Sequence, residues 1–305
     1  MVTTSLLDLV GNTPLLSIPH PNSHSVPLFA KAEWMNPSGS VKDRAAKHML
    51  LAALKAGQLE GKRLLDASSG NTGIAYATLG AALGIQVSIA LPENASIERK
   101  LLLQNLGAEV ILTPAMEGTD GAQRRVKTLL ETHKNLYFCP DQYNNPNNWL
   151  AHFEHTGPEI WSQTQGNCTH FVAGLGTTGS FIGTSRFLKS HGVHCVAIQP
   201  DNPMHGLEGW KHLETALVPG IFDASVANET RTIGTETAFG YAKAAAKYLG
   251  LMLSPSAAAN IAASLTVASE LQHGCVVTLL PDNAFKYLHD AFWNDHDYTI
   301  PNPFN

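Results

Sequence analysis

Seven short runs, each apolar on both faces and separated from the next by stretches of helical composition, leave this chain few folds. RLLDAS (63–68), QVSIALP (86–92), AEVILTP (108–114) and LYFCPDQ (136–142) form a first series. THFVAGLG (169–176), HCVAIQP (194–200) and CVVTLLPD (275–282) form a second. A strand with one wet face alternates apolar and polar residues, whereas a strand apolar throughout must be covered on both sides. With helices between the runs, the solution is α/β: two doubly wound halves, each a parallel sheet between helical layers. The turn-rich segment QYNNPNNW (142–149) is the natural crossover between them.

The bulk properties narrow the partner. A chain of 305 residues with 44% hydrophobic content can bury two cores, and its net charge of -5 comes without a basic block. Neither nucleic acid nor an anionic membrane surface is an evident partner, which leaves a small molecule. Cys139, Cys168, Cys195 and Cys275 are scattered without CxxC spacing and read as buried thiols in a reducing cytoplasm. The N-terminal MVTTSLLDLVGNTPLL has no basic region ahead of a long apolar stretch. No run reaches the ~18 apolar residues of a membrane span, so neither export nor insertion is expected.

Ligands of such sheets sit beyond the carboxyl ends of the strands, where loops lead into helix N-termini, and three segments there carry chemistry. In NPSGSVKDR (36–44), Ser40 is a good N-cap, Asp43 falls in the first turn, and AAKHMLLAALKAG continues as a helix until Gly57. A cation at that helix start loses about 0.5 kcal/mol to the helix dipole, so Lys42 is either a tolerated surface lysine or a used one. In DASSGNTGIAYATLG (66–80), Ser68, Ser69, Asn71 and Thr72 gather hydroxyls, an amide and backbone N–H groups at a positive helix end. They suit a carboxylate or phosphate, or serve as ordinary caps. In VAGLGTTGSFIGTSRFL (172–188), Gly174, Gly176 and Gly179 let backbone approach a ligand, with Thr177, Thr178 and Ser180 as donors. A phosphate fits there, and a bare strand-to-helix turn fits as well. The loop lacks the lysine of a Walker motif and does not match GxGxxG with a distant acid, so ATP and NAD fit less well. A lysine, a carboxylate cradle and a phosphate cradle together suit pyridoxal phosphate.

The stretches GNTPLL (11–16), NPSGSVKDR, SSGNTGIA, QYNNPNN, HTGPEIW (155–161) and GTTGS, in this order, closely resemble the cysteine synthase family of fold-type II pyridoxal phosphate enzymes. The likeness runs from about residue 5 to 290, and TGPEIW, GTTGS and VPGIFDAS (218–225) look most like the cysteine synthase B, or O-acetylserine sulfhydrylase B, branch. The resemblance implies a tryptophan synthase β-like fold. A smaller mobile domain, 38–149, would bind the substrate carboxylate, and a larger one, 1–37 with 150–305, the cofactor phosphate.

It also implies roles. Lys42 would hold pyridoxal 5'-phosphate as a Schiff base and act as the catalytic base, a helix start favouring its neutral amine. Asn71 would meet the cofactor's 3'-oxygen, and Gly176, Thr177, Thr178, Gly179 and Ser180 its phosphate. Ser256 would face the pyridine nitrogen. Ser68, where many relatives carry threonine, would bind the substrate carboxylate with Ser69, Thr72 and Gln142. Lys211 falls where the B branch carries an arginine at the entrance, suited to an anionic sulfur donor. The implied reaction is β-replacement forming L-cysteine from an O-activated serine and sulfide or thiosulfate, in a cytoplasmic homodimer. A 2,3-diaminopropionate or cystathionine synthase, or an eliminase, would share every cofactor motif.

One segment departs from the pattern. LSPSAAANIAA (253–263) replaces the relatives' glycines beside the ring with Pro255 and alanines, which stiffens that wall. Other residues carry less. His152 and His155 lack a third ligand at convincing spacing, so no metal is expected. Tyr143 reads as packing, and Asp282 either approaches the cofactor or caps the last helix.

Overall fold

The computed structural model describes residues 4–68 and 70–305. Along the chain, β1 (Leu15–Ile18) and β2 (Leu28–Ala32) form an antiparallel pair. Then come α1 (Lys42–Lys55), β3 (Arg63–Ala67), α2 (Asn71–Leu83), β4 (Val87–Pro92), α3 (Ile97–Asn105), β5 (Glu109–Thr113), α4 (Gly118–Thr132) and β6 (Tyr137–Phe138). A helical stretch follows: α5 (Pro146–Ala151) passes through a π-helical turn, His152–Thr156, into α6 (Gly157–Gln163). The remainder alternates as β7 (His170–Gly174), α7 (Gly179–Lys189), β8 (His194–Pro200), β9 (Glu229–Ile233), α8 (Thr235–Ala244), α9 (Pro255–Glu270) and β10 (Val276–Leu280). Among the described residues, no helix is long and apolar enough to cross a membrane.

The chain divides into two compact units, residues 1–10 with 36–148 and residues 11–35 with 149–305. Residues 4–10 pack with the smaller unit, whereas the sequence reading carried 1–37 with the larger. Leu7 enters the smaller unit's core, and the Lys47 ammonium donates to the Leu7 carbonyl.

The smaller unit holds a four-stranded sheet ordered β5-β4-β3-β6, parallel throughout. Its central strand shows why the apolar runs were double-faced. Leu64 joins Met49 and Leu50 of α1 and Ile74 and Leu79 of α2. The next residue, Leu65, points the other way to Val126 and Leu129 of α4. Both leucines are fully buried, and each contributes about 1.5–3 kcal/mol by burial. α1 and α2 stop where glycines take positive φ, Gly57 at 67° and Gly84 at 69°.

The larger unit holds a six-stranded sheet ordered β1-β2-β10-β7-β8-β9, parallel except for β1. Val172, Val196, Ile198 and Val276 face α8 and α9. Phe171, Ala173, Cys195 and Val277 face α6 and α7, through Ile160, Phe181 and Leu188. The sequence reading found β7, β8 and β10 but passed over β1, β2 and β9. β2 is interrupted by Lys31, and β9, ETRTI, is an edge strand that alternates exposed polar residues.

Lys31 is completely buried in the second strand of this sheet. Its ammonium donates to the Thr13 carbonyl at 2.8 Å and to Gln163 Oε1 at 2.9 Å, and pairs with Glu159 Oε2 at 2.8 Å. Gln163 Nε2 in turn donates to the Thr13 carbonyl at 2.9 Å. The GNTPLL and HTGPEIW segments therefore meet on one buried cation. A buried charge whose partner is removed is left uncompensated, so Lys31→Met should destabilise the larger unit by about 3–5 kcal/mol. Adding Glu159→Gln should recover part of that loss in urea unfolding. Independent, additive losses would show that the pair is not coupled.

Candidate active site

In the smaller unit, α1 runs through a short turn into β3, so it starts at the carboxyl edge of the sheet, and α2 starts there too, directly after β3. Lys42 is the first residue of α1 and is half-buried. The NPSGS loop before it is held from both ends. Gly39, at φ 82°, donates its N–H to the Asn36 carbonyl, and the Ser38 N–H and hydroxyl both donate to the buried Asp43 carboxylate. Asp43, expected only as a favourable charge in the first turn, thus clamps the loop that delivers Lys42. The Ser40 hydroxyl accepts from the Lys42 N–H at 3.3 Å, although the helix is counted from Val41 as its cap.

α2 has Gly70 as its N-cap, which offers no side chain to its first amides. Ser68 Oγ accepts from the Gly73 N–H at 3.1 Å. A Cβ on Gly73 would come within 2.6 Å of the Ser68 carbonyl oxygen, so only glycine lets the loop fold this tightly. Thr72 and Gln142 are both buried, and the Thr72 hydroxyl donates to Gln142 Oε1 at 2.8 Å. Gln142 is fixed further by its carbonyl, which accepts from Asn148 Nδ2 at 2.6 Å. With Oε1 engaged by Thr72, the Nε2 donors are the end of Gln142 suited to a carboxylate. Asn71 is the first residue of α2, and Ser69 lies outside the described residues.

In the larger unit, β7 ends at Gly174 and the chain passes through Leu175–Thr178 into α7. Thr178 is the N-cap of α7 with a left-handed backbone, φ 71°, which is strained for a β-branched residue. Its hydroxyl is buried and has no hydrogen-bond partner among the described residues. Gly179 and Ser180 open the helix, where backbone N–H groups lack intrahelical partners. A Cβ on Gly176 would lie 1.9 Å from the Gly209 carbonyl oxygen. An orphaned hydroxyl, a strained cap and an uncovered helix start on one short loop fit a phosphate, which would supply the missing acceptor and the negative charge.

α9 runs toward β10, so its start also lies at the carboxyl edge, and the Leu253–Asn283 bridge ties it there. Ser254 caps α9 by accepting from the Ala257 N–H, and its hydroxyl lies 3.1 Å from that of Ser256. Sequence reasoning singled out Ser256 and passed over Ser254, whose signal was a serine ahead of proline at a helix start. Lys211 is half-buried and tied to the phosphate-type loop, its N–H donating to the Leu175 carbonyl at 2.8 Å. Asp282 is buried and its Oδ2 accepts from the Tyr287 hydroxyl at 2.6 Å. The cap of the next turn is Asn283, whose side chain accepts from the Phe285 N–H.

Residues 6–282 match the family model described as pyridoxal-phosphate dependent enzyme. The chain is 46% identical to a cysteine synthase of Aquifex aeolicus, over 96% of this chain and 93% of that protein. It is 36% identical to a cysteine synthase B of Salmonella typhimurium, over 97% and 98%. Among solved structures, a cysteine synthase of Entamoeba histolytica superposes with a TM-score of 0.93 at 32% identity, covering 97% of this chain and 92% of that one.

Asp66, at the end of β3, was not singled out from the sequence. It is buried, Oδ1 accepts from the Ala67 N–H at 2.8 Å, and Oδ2 has no partner among the described residues. Burial pushes its carboxyl up to about 7, and the Asp141 charge adds to the shift. Its other titratable neighbours are acids as well: burial, with Asp66 adding, takes the Cys139 thiol and the Tyr143 phenol up to about 12 and pushes the Tyr76 phenol well above its ordinary value. A carboxyl raised in this way contributes stability that is complete below its unfolded value, near 3.8, and is lost as pH rises through about 7. Asp66→Asn keeps the acceptor for Ala67 and cannot ionise. Between pH 5 and pH 8 the wild type should therefore lose more stability than the variant, by about 1.4 kcal/mol per unit of pKa shift expressed in that range. Urea midpoints at the two pH values measure this, and parallel pH dependences would place the proton elsewhere.

Proposed function

The chain belongs to the pyridoxal-phosphate dependent enzymes and, within them, to the cysteine synthase family, and from that premise we propose that it forms L-cysteine by β-replacement on O-acetylserine. The observation that carries this reading is Thr178, a buried and unpartnered hydroxyl on a strained residue at the start of α7, where a cofactor phosphate belongs. In the proposal Gly176, Thr177, Thr178, Gly179 and Ser180 hold that phosphate, Lys42 Nζ binds the aldehyde, Asn71 meets the 3'-oxygen and Ser256 faces the ring nitrogen. When bound, pyridoxal phosphate supplies an electron sink for the pair left on the substrate's α-carbon.

This chain's residues do the rest. The first amides of α2, with the Ser68 and Thr72 hydroxyls and Gln142 Nε2, orient the substrate carboxylate, and Ser69 joins them in the proposal. Lys42 Nζ would remove the α-proton, hold it while acetate leaves the β-carbon, and return it after sulfur adds. The Asp43 clamp on Ser38 limits the excursions of the loop that carries Lys42. Ser256 offers the ring a neutral hydroxyl, already paired with Ser254, in place of a carboxylate. That favours expulsion of the β-group over transamination. The proposal includes a cytoplasmic setting, with which four free thiols agree, and a homodimer, which the family resemblance suggests.

Lys42→Ala should bind the cofactor through its phosphate but without covalent attachment, and should lower turnover by at least three orders of magnitude. Absorbance and steady-state cysteine formation test this together, and retained activity would refute the role. Lys211, anchored beside the phosphate loop, is proposed to attract an anionic sulfur donor at the entrance. Lys211→Ala should raise the KM for thiosulfate several-fold while leaving that for sulfide nearly unchanged. Equal effects on both donors, or none, would remove Lys211 from donor selection.

A further inference from the structure

The β7–β10 ladder runs through three rungs, His170–Val276, Phe171–Val277 and Val172–Thr278, and stops. Beyond them β7 continues with β8 as far as Gly174–Ile198, and β10 continues with β2 as far as Leu280–Ala32. The sheet is therefore split at the carboxyl end between β7 and β10. This is also where the chain order reverses, with β8 and β9 building outward on one side and β10 and β2 lying on the other. Such switch points open the crevices in which α/β sheets hold their ligands.

A split of this kind leaves backbone groups on its two walls without ladder partners, and one side chain fills the gap. Asn260, from the second turn of α9, is 1% exposed. Its Oδ1 accepts from the Gly174 N–H at 2.9 Å and its Nδ2 donates to the Leu279 carbonyl at 2.8 Å. The amide thus acts as an inserted peptide unit, joining strands that no longer join each other. Below it the last rung is reinforced by the Thr278 hydroxyl, which donates to the Val172 carbonyl at 2.7 Å. Above it there is no slack. A Cβ on Gly174 would lie 1.9 Å from the Trp210 ring, one on Gly176 1.9 Å from the Gly209 carbonyl, and the Leu175 carbonyl is held by the Lys211 N–H. A shift of Gly174 must therefore pass into the segment ending at Thr178.

We propose that Asn260 is the positioning residue of the phosphate cradle, setting where Gly174 delivers the chain into the Leu175–Ser180 loop. The inference rests on reading that loop as the cofactor-phosphate site. It is tested on the full-length chain freed of cofactor, by titration with pyridoxal phosphate and with unphosphorylated pyridoxal, following absorbance, alongside thermal melting of the same cofactor-free protein. The wild type should prefer the phosphorylated form. Asn260→Asp, which keeps the acceptor but loses the donor to Leu279, and Asn260→Leu, which loses both, should weaken pyridoxal phosphate at least tenfold while changing pyridoxal less than twofold. If Asn260→Leu does not fold, Asn260→Asp decides alone. Equal weakening of both compounds, or a lower melting point with the phosphate preference intact, would overturn the proposal and leave Asn260 as a packing residue. A wild type with no preference for the phosphorylated form would instead overturn the reading of the loop, and the inference with it.

Discussion

A parallel strand that turns into a helix must leave backbone N–H groups unpaired at the carboxyl edge of its sheet, because the first turn of a helix has no carbonyls behind it. The candidate site follows from that constraint. α1 begins with Lys42, α2 follows a glycine cap, α7 follows Thr178 and α9 is capped by Ser254. Only α9 among these has its first amides met by its own cap side chain. At the cap position α2 carries a glycine, its third amide met instead by Ser68, and α7 carries a threonine whose hydroxyl has no partner among the described residues. The electrostatic demand is the same in both units, and the proposal assigns one to the substrate carboxylate and the other to the cofactor phosphate.

Much of this was legible in the order of residues. Runs apolar on both faces gave β3, β4, β7, β8 and β10 because parallel strands covered twice cannot hide their composition, as Leu64 and Leu65 show; the same signal found β5, an edge strand whose Leu112 is exposed. The run expected at 136–142 shrinks to Tyr137–Phe138, since its later residues turn away as the loop carrying Gln142. β2 was missed because Lys31 breaks its pattern. That lysine is comprehensible only once Glu159 and Gln163 have been brought to it from far along the chain. Thr178 and its loop stood out by residue type, but its φ and its unpartnered hydroxyl are properties of the folded state. Asn260 and Asp66 gave no signal at all: a polar residue in an alanine-rich helix and an acid at a strand end become informative only through what they touch.

The buried polar groups divide by what they stabilise. Lys31 with Glu159, Thr13 and Gln163 ties distant segments together, and its contribution is to fix one arrangement of the β2 strand and the α6 helix. Asp43 and the Thr72–Gln142 pair each hold in place a loop that must present something outward. Asp66 belongs to neither group. Burial and the neighbouring Asp141 charge favour its protonated form, and it lies two residues before Ser68.

The pairing of β2 with β10 has a consequence for synthesis. Leu28 finds its parallel neighbour in Val276, so the middle of the larger sheet cannot close until nearly the whole chain exists. At ~5–20 residues per second, emergence of β10 lags β2 by roughly 10–50 s. Residues 36–148, continuous in sequence, have everything needed to build the smaller sheet within that interval. Meanwhile β1 covers one edge of β2 and leaves the other bare. On the ribosome the nascent chain thus carries a finished smaller unit beside an open strand, and its hazard is association through that edge rather than slow closure of the first sheet.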